Sequence, residues 1–263
     1  MAQSLKIRLR GTLLARLLKV LAAGYRSLEE RWRRERRIRR MRRFYAQFIK
    51  PGDLTFDVGA NVGSRTRIFL QLGARVVSVE PQKACARTLF FSFHANPNFH
   101  LVNKALGAAN GRCELVSSNY STTASLSRAW IDAAKPASFQ SISWGGPRQV
   151  PVTTLDSLIQ EYGLPTFVKI DAEGFEYEIM QGLSRPLVAL SLEFIPTYLG
   201  PALQSINYLK RFGPLRLNYA LEERFEWMLD EWVTPDEMIA ILEKHGGAAE
   251  SIYGDVYVRF IAA

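Results

Sequence analysis

Leu54-Thr55-Phe56-Asp57-Val58-Gly59-Ala60-Asn61-Val62-Gly63 is the stretch that decides how this chain folds. An apolar run leads into a turn holding two glycines, and a second run, Val76-Val77-Ser78-Val79, follows and ends on Glu80-Pro81. The order predicts a β-strand, a tight turn, a helix, a second strand and a carboxylate at that strand's carboxyl end. Glycine lets the backbone turn sharply and lets a ligand come close to it. In open α/β sheets ligands lie beyond the carboxyl ends of strands, and an acid roughly 20 residues after the turn accepts ribose hydroxyls. Glu80 occupies that place.

The spacing also discriminates between nucleoside ligands. A dinucleotide fingerprint needs G-x-G-x-x-G so that backbone amides reach a pyrophosphate. Here Gly59 and Gly63 flank Asn61, and Asp57 stands just before the turn. A carboxylate in that position repels a pyrophosphate and suits a ligand bearing an amino group or another cation. S-adenosylmethionine has a ribose diol, a sulfonium and an α-amino group, and no phosphate. Asp57, Gly59, Asn61, Gly63 and Glu80 are therefore the candidate cofactor-binding residues, and a methyltransferase is favoured over a nicotinamide dehydrogenase.

Outward from this unit the chain reads as a doubly wound, mostly parallel sheet. Further strands are expected near 99–106, 149–153, 167–170 and 188–193, with helices near 83–93, 175–183 and 201–212 and another opening after Thr154. A hairpin is expected at 112–118, reached through a turn at Gly107–Gly111. Thr154 is placed to cap a helix whose Leu155, Leu158 and Ile159 face the core. A last helix opens at Thr234-Pro235-Asp236-Glu237, with proline in its first turn. The terminal run 255–261 is expected as an antiparallel strand.

Four further pieces join the first in sequence order: Val79-Glu80-Pro81, Thr153-Thr154-Leu155-Asp156, Val168-Lys169-Ile170-Asp171-Ala172-Glu173-Gly174-Phe175-Glu176, and Leu192-Glu193-Phe194. Together with Phe56–Gly63 they resemble the FkbM family of S-adenosylmethionine-dependent methyltransferases over roughly residues 44 to 195. The Lys-Ile-Asp-Ala-Glu-Gly-Phe-Glu block is the most specific of them. The resemblance implies a class I methyltransferase (Rossmann-like) fold and O-methylation of a saccharide, glycolipid or secondary metabolite, without fixing the acceptor.

The chemistry is expected around Asp171. On an extended segment alternate residues share a side, which would bring Lys169, Asp171 and Glu173 together at the carboxyl end of their strand. Methyl transfer needs the acceptor oxygen aligned and its proton removed, and a nearby carboxylate does the second. Asp171 is the first candidate for that base, then Glu173, with Glu193 as an acceptor-orienting group. For Glu173 and Glu176 the competing role is to complement a helix N-terminus; for Lys169 it is a structural ion pair. Asp171, Glu173 and Glu193 also offer oxygens to a hard divalent ion, but their spacing demands none, and no metal is expected. His94, His100 and His245 fall away from strand carboxyl ends. The hydroxyl-rich stretch Ser118–Ser125 is expected to line the acceptor pocket, and Trp130 and Trp144 are candidate stacking faces for a sugar.

Charge divides the chain in two. Residues 1–43 hold 15 Lys and Arg against three Glu, a balance of +12, while the rest carries 19 basic against 22 acidic residues, or −3. Leu5, Leu9, Leu13, Leu17 and Leu21 recur among basic residues, the pattern of an amphipathic helix at a membrane surface or on a partner. We therefore expect a basic helical arm, 1–43, and a catalytic domain, 44–263. The arm packs on the domain, meets an anionic membrane, or contacts nucleic acid. Of the two outside partners the membrane is favoured. RNA or protein methylation with the arm as a clamp is the enzymatic alternative, weakened because no Asn-Pro-Pro-Tyr type motif follows strand four. A catalytically inactive cofactor-binding scaffold is the non-enzymatic one. Two cysteines, Cys85 and Cys113, form neither metal-ligand spacing nor a disulfide framework, and no apolar run is long enough to span a bilayer. A cytoplasmic enzyme, free or peripheral at the membrane surface, is the expectation.

Overall fold

The computed structural model describes residues 31–117, 124–125, 145–221, 224–245 and 253–261. The chain divides into two compact units, Met1–Arg43 and Phe44–Ala263. In the first, residues 31–43 are helical and all nine of their arginines are exposed.

The second unit is built on a seven-stranded sheet. Its first strands are β1 (Leu54–Val58), β2 (Arg75–Val79) and β3 (Phe99–Val102), joined through helices α1 (Ser64–Gln71) and α2 (Lys83–Phe93). Two short strands, β4 (Ala105–Leu106) and β5 (Gly111–Ser117), are followed by β6 (Ala124–Ser125) and β7 (Arg148–Thr153). Then come α3 (Leu155–Tyr162), β8 (Phe167–Ile170), α4 (Glu176–Gln181), β9 (Ala189–Phe194), α5 (Gly200–Leu209), β10 (Leu215–Leu221), α6 (Pro235–His245) and β11 (Gly254–Phe260). The sheet order is β10-β11-β9-β8-β1-β2-β3. The five strands from β9 to β3 run parallel, and β11 lies antiparallel between β9 and β10. This is the class I methyltransferase architecture, with the expected antiparallel strand at the end of the chain.

Alternation along the strands separates a greasy face from a polar one. Leu54, Phe56 and Val58 of β1, Val168 and Ile170 of β8 and Leu190 and Leu192 of β9 enter the main core with α3, α4 and α5. The opposite face carries Ser78, Asp57, Lys169, Ser191 and Tyr257, which the strand register sets side by side across β2, β1, β8, β9 and β11. The next row out holds Glu193 opposite Asp255. Below the polar row an aromatic cluster seals the same face: Phe48 stacks on Tyr257 at 5.6 Å, and Tyr45 meets Phe69 and Phe167 edge-on or tilted. Arg259 lies 4.2 Å over the Trp232 ring, within cation–π reach.

The helix boundaries follow local chemistry. Thr154 accepts a hydrogen bond from the Ser157 amide and caps α3, as its position before Leu155 predicts. Thr234 and Glu237 form a reciprocal pair at the start of α6, the capping-box arrangement. The sequence reading differs after Val102, and the hairpin expected at 112–118 is one strand, β5. The single strand expected over 99–106 is two, because Asn103 donates its side-chain amide to the Glu80 and Pro81 carbonyls and so turns the chain off the large sheet. β4 then joins a separate four-stranded sheet ordered β4-β7-β5-β6, so that β5 pairs with the distant β7.

The polar row has no spare partners near α1. Thr66 donates to Asp57 Oδ2 at 2.6 Å and its hydroxyl lies 2.8 Å from Ser78 Oγ, all three side chains being buried. Thr66→Val strands a carboxylate and a hydroxyl away from water, and a buried orphan of this kind costs about 1–3 kcal/mol. Chemical denaturation should show that loss of stability; an unchanged midpoint would rule out this bond as the anchor of α1.

Candidate active site

The carboxyl ends of β1, β2 and β8 frame a cavity of about 320 Å³, within the range of small-molecule sites. Asp57, Gly59, Ala60, Asn61, Glu80, Asp171 and Glu173 are among its walls. Of the eight residues singled out from the sequence, Gly63 and Glu193 do not line it. Gly63 sits one residue before α1 with φ 89°, and a side chain there would meet Leu89 and Phe93. Gly59 has φ 74°, and a Cβ on it would overlap the Asp171 carbonyl. That glycine is what allows the β1 turn and the β8 turn to touch.

Glu80 is 3% exposed and uses both carboxylate oxygens on the turn: the amides of Asn61 and Gln82 donate to Oε2 and Oε1, each at 2.8 Å. Burial pushes its pKa up, the two amides pull it down, and the result is about 7. Asp57 is buried too, and burial raises its pKa against the opposing Thr66 hydrogen bond. Asp57 is thus both a cavity wall and a fixed part of the α1 attachment.

At the end of β8 the chain leaves the extended conformation, and Glu173 adopts φ 51°. Convergence therefore comes from a turn and not from strand alternation alone, yet the expected groups do meet. Lys169 is 1% exposed; its ammonium donates to Asp255 Oδ1 at 2.9 Å and to the Ile170 carbonyl at 3.2 Å, and pairs with Asp171 Oδ2 at 3.3 Å. Burial disfavours that charge, but Asp171, Asp255, Tyr45 and Glu193 together outweigh it and hold the lysine protonated. The carboxylates of Asp171, Glu173 and Glu193 bring one oxygen each within 4.8 Å of one another. Burial first, then Asp171 and Glu176, lift the Glu173 pKa well above its usual value; burial, Asp171 and Glu173 do the same for Glu193. Two carboxyls in this position favour sharing a proton over carrying two full charges.

Glu176 has a different task. It accepts from the amides of Ala172 and Gly174 and so holds the turn before α4, with burial raising its pKa to about 7. The histidines lie apart from the cavity: His94 stacks on Phe90, His100 lies against Tyr162, and His245 Nε2 is 3.1 Å from the Tyr219 hydroxyl. Residues 118–123, Trp130 and Trp144 lie outside the described residues, as do the side chains of Ala124 and Ser125. Two charged walls, Arg65 and Lys104, lie outside the candidates. Arg65, in the first turn of α1, lines the cavity and lies 5.5 Å from the Phe225 ring centroid. Its place two residues after Gly63 is the signal that would have found it.

The cavity fits S-adenosylmethionine by its donor set. Asp57, Glu80, Asp171 and Glu173 line it beside Arg65, Lys104 and Lys169, a mixed set that complements a ligand carrying a sulfonium, an ammonium group and a carboxylate. Glu80 stands where a ribose diol can donate to it, and Arg65 supplies a cation for a carboxylate.

Comparison with known proteins agrees with this chemistry. Several solved structures are similar in outline. A TehB-like SAM-dependent methyltransferase from Corynebacterium glutamicum is 10% identical, with 91% of this chain and 99% of that one covered at a TM-score of 0.43. An rRNA methylase from Streptococcus thermophilus is 10% identical over 84% and 94% of the two chains, at 0.42. Likeness at this level decides nothing about this chain, and the fold assignment rests on its own strand order. No curated protein matches it significantly. The model of the methyltransferase FkbM domain matches residues 57–247, which include every candidate site residue. The chain belongs to the FkbM methyltransferase family and uses S-adenosylmethionine as its methyl donor.

Proposed function

We propose that this protein is an O-methyltransferase acting on a hydroxyl of a saccharide, glycolipid or secondary metabolite. The observation that carries the reading is Asp171. It lines the cofactor cavity, is about one-third exposed, and has a buried ammonium at 3.3 Å. Bound S-adenosylmethionine supplies an electrophilic methyl group on a sulfonium, whose bonding pair stays on sulfur when the acceptor oxygen takes the methyl. The chain's own work is then positional and acid–base. Asp171 receives the hydroxyl proton, Lys169 holds that carboxylate in place, and Glu173 and Glu193 orient the acceptor. Glu80 accepts hydrogen bonds from the ribose, Asp57 favours the amino group, Arg65 pairs with the carboxylate, and Gly59, Asn61 and Gly63 shape the turn against the ligand.

A second element of the proposal concerns the arm. Among the described residues no helix is long and apolar enough to cross a membrane. Residues 31–43 are instead a helix with nine exposed arginines and one glutamate, and Trp32 is 61% exposed on it. Arginine pairs with phosphate through a planar fork, and tryptophan favours the bilayer interface. We assign the arm, residues 1–43, to peripheral attachment at an anionic membrane on the cytoplasmic side, with residues 44–263 as the catalytic domain.

Asp171→Asn should lower turnover at least about a hundredfold while calorimetric titration with S-adenosylmethionine changes little; parallel losses in both would make Asp171 a binding residue. The ribose favours the ionised form of Glu80, whose pKa in the free protein is about 7. Binding therefore lowers that pKa, and affinity should rise by up to about tenfold per pH unit below 7 and level off above it. Glu80→Gln should flatten the profile and weaken binding by about 1–3 kcal/mol; a flat wild-type profile would sink the ribose assignment. Flotation of the full chain with phosphatidylglycerol vesicles should show binding that falls with salt and is lost when Arg36, Arg37, Arg39 and Arg40 become Gln. Absence of vesicle binding by the wild type would end the membrane reading.

A further inference from the structure

A second cavity, of about 190 Å³, adjoins the cofactor cavity. The two share Arg65, Asp171 and Glu173 as walls, whereas Glu193, Tyr253 and Asp255 line only the second. Its position follows from register. Glu193, near the end of β9, pairs opposite Asp255, the second residue of β11, and the two strands run antiparallel. The last strand thereby brings its first residues to the carboxyl ends of the parallel ones. Gly254 makes this possible, since a Cβ there would press on the Ala220 carbonyl and the Phe194 ring.

A methyl acceptor must reach the reacting centre without taking the cofactor's volume. A cavity that shares with the cofactor site the wall bearing Asp171 meets both conditions. The charge of that cavity narrows what can enter. Four carboxylates, Asp171, Glu173, Glu193 and Asp255, face it against Arg65. Lys169 offsets part of this through its pairs with Asp171 and Asp255, and Glu193 stands on the wall that only this cavity has. Carboxylates accept hydrogen bonds from hydroxyls and repel anions, and a guanidinium donates to hydroxyl oxygens. Tyr253, 43% exposed, adds an aromatic face to the same wall.

We infer that this second cavity receives the reactive end of the acceptor, a hydroxyl-bearing ring without anionic groups. Glu193 and Tyr253 select it, Glu193 by accepting its hydrogen bonds and rejecting anions, Tyr253 by covering the ring's apolar face. The inference rests on the methyl-transfer reading and goes beyond it in locating the acceptor and naming what discriminates. In the transfer the acceptor oxygen forms its bond to the methyl carbon as the carbon–sulfur bond breaks. The hydroxyl proton passes to Asp171, on the wall common to both cavities.

The test uses the full-length protein saturated with S-adenosylhomocysteine and saturation-transfer NMR with methyl glucoside, methyl galactoside and methyl mannoside, beside glucuronate. At least one neutral glycoside should receive saturation and glucuronate should not. Tyr253→Ala, a change at an exposed residue, and Glu193→Gln should each cut the glycoside signal at least fivefold while leaving S-adenosylhomocysteine affinity within twofold. No signal from any glycoside, an equal signal from glucuronate, or glycoside signals unmoved by both variants would overturn the inference. So would a variant that loses S-adenosylhomocysteine, because the cavity would then belong to the cofactor. Failure of the wild type to bind S-adenosylhomocysteine at all is a different result and sinks the methyl-transfer reading itself.

Discussion

One buried ammonium organises the catalytic end of this protein. Lys169 sits in the middle of the sheet, nearly without solvent, donates to Asp255 and the Ile170 carbonyl and pairs with the Asp171 carboxylate. A charge in that position is tolerated only when its partners are complete, and removing one partner of a buried pair typically costs about 3–5 kcal/mol. The consequence is topological as well as energetic. Asp255 is 86 residues further along the chain, so the ion pair binds the last strand to the strand that carries the proposed base. The antiparallel insertion of β11 between β9 and β10 is what places Asp255 within reach. The acidity around the site and the fold's final strand therefore depend on each other.

Seen from Lys169, the site has two electrostatic regions. Around Glu80 and Asp57 the carboxylates are occupied by amides and a hydroxyl of the protein itself, so this part is rigid before any ligand arrives. Preorganised polar groups of this kind bind without paying to reorient. Around Glu173 and Glu193 burial and the neighbouring Asp171 carboxylate raise both pKa values. The first region suits a ligand that is the same in every turnover. The second suits one whose hydroxyl must lose a proton.

What the sequence disclosed and what it withheld divide along contact distance. The β1 turn, Glu80 after β2 and the capped helix after Thr154 were legible because each depends on residues close in the chain, where glycine conformation, alternation and capping act directly. The acidic row was legible as a list, Asp171, Glu173 and Glu193, but its geometry was not. That geometry comes from the β9–β11 register and the left-handed turn at Glu173, and neither leaves a mark in local periodicity. The break after Val102 was missed for a related reason. Its cause is one side-chain amide, Asn103, reaching carbonyls 22 and 23 residues away. Arg65 stands two residues after the glycine turn, and that nearness is its only local sign, since a lone arginine in a helix otherwise reads as surface.

Among the described residues three non-glycine positions hold a left-handed backbone: Asn61, Glu173 and Phe225. Each such residue is held against its preference by its surroundings, and here the three are gathered around one place. Asn61 lends its amide to Glu80, Glu173 stands on the wall common to both cavities, and Phe225 lies under the Arg65 guanidinium. Regular strands could not have produced this arrangement, since continuing β1 or β8 by one more extended residue would carry the backbone past the cavity. The sheet supplies a stiff row of carboxyl ends, and the turns give up conformational ease to bend that row around a ligand. Lys169 makes the bend tolerable by holding Asp171, at the start of one such turn, to the sheet.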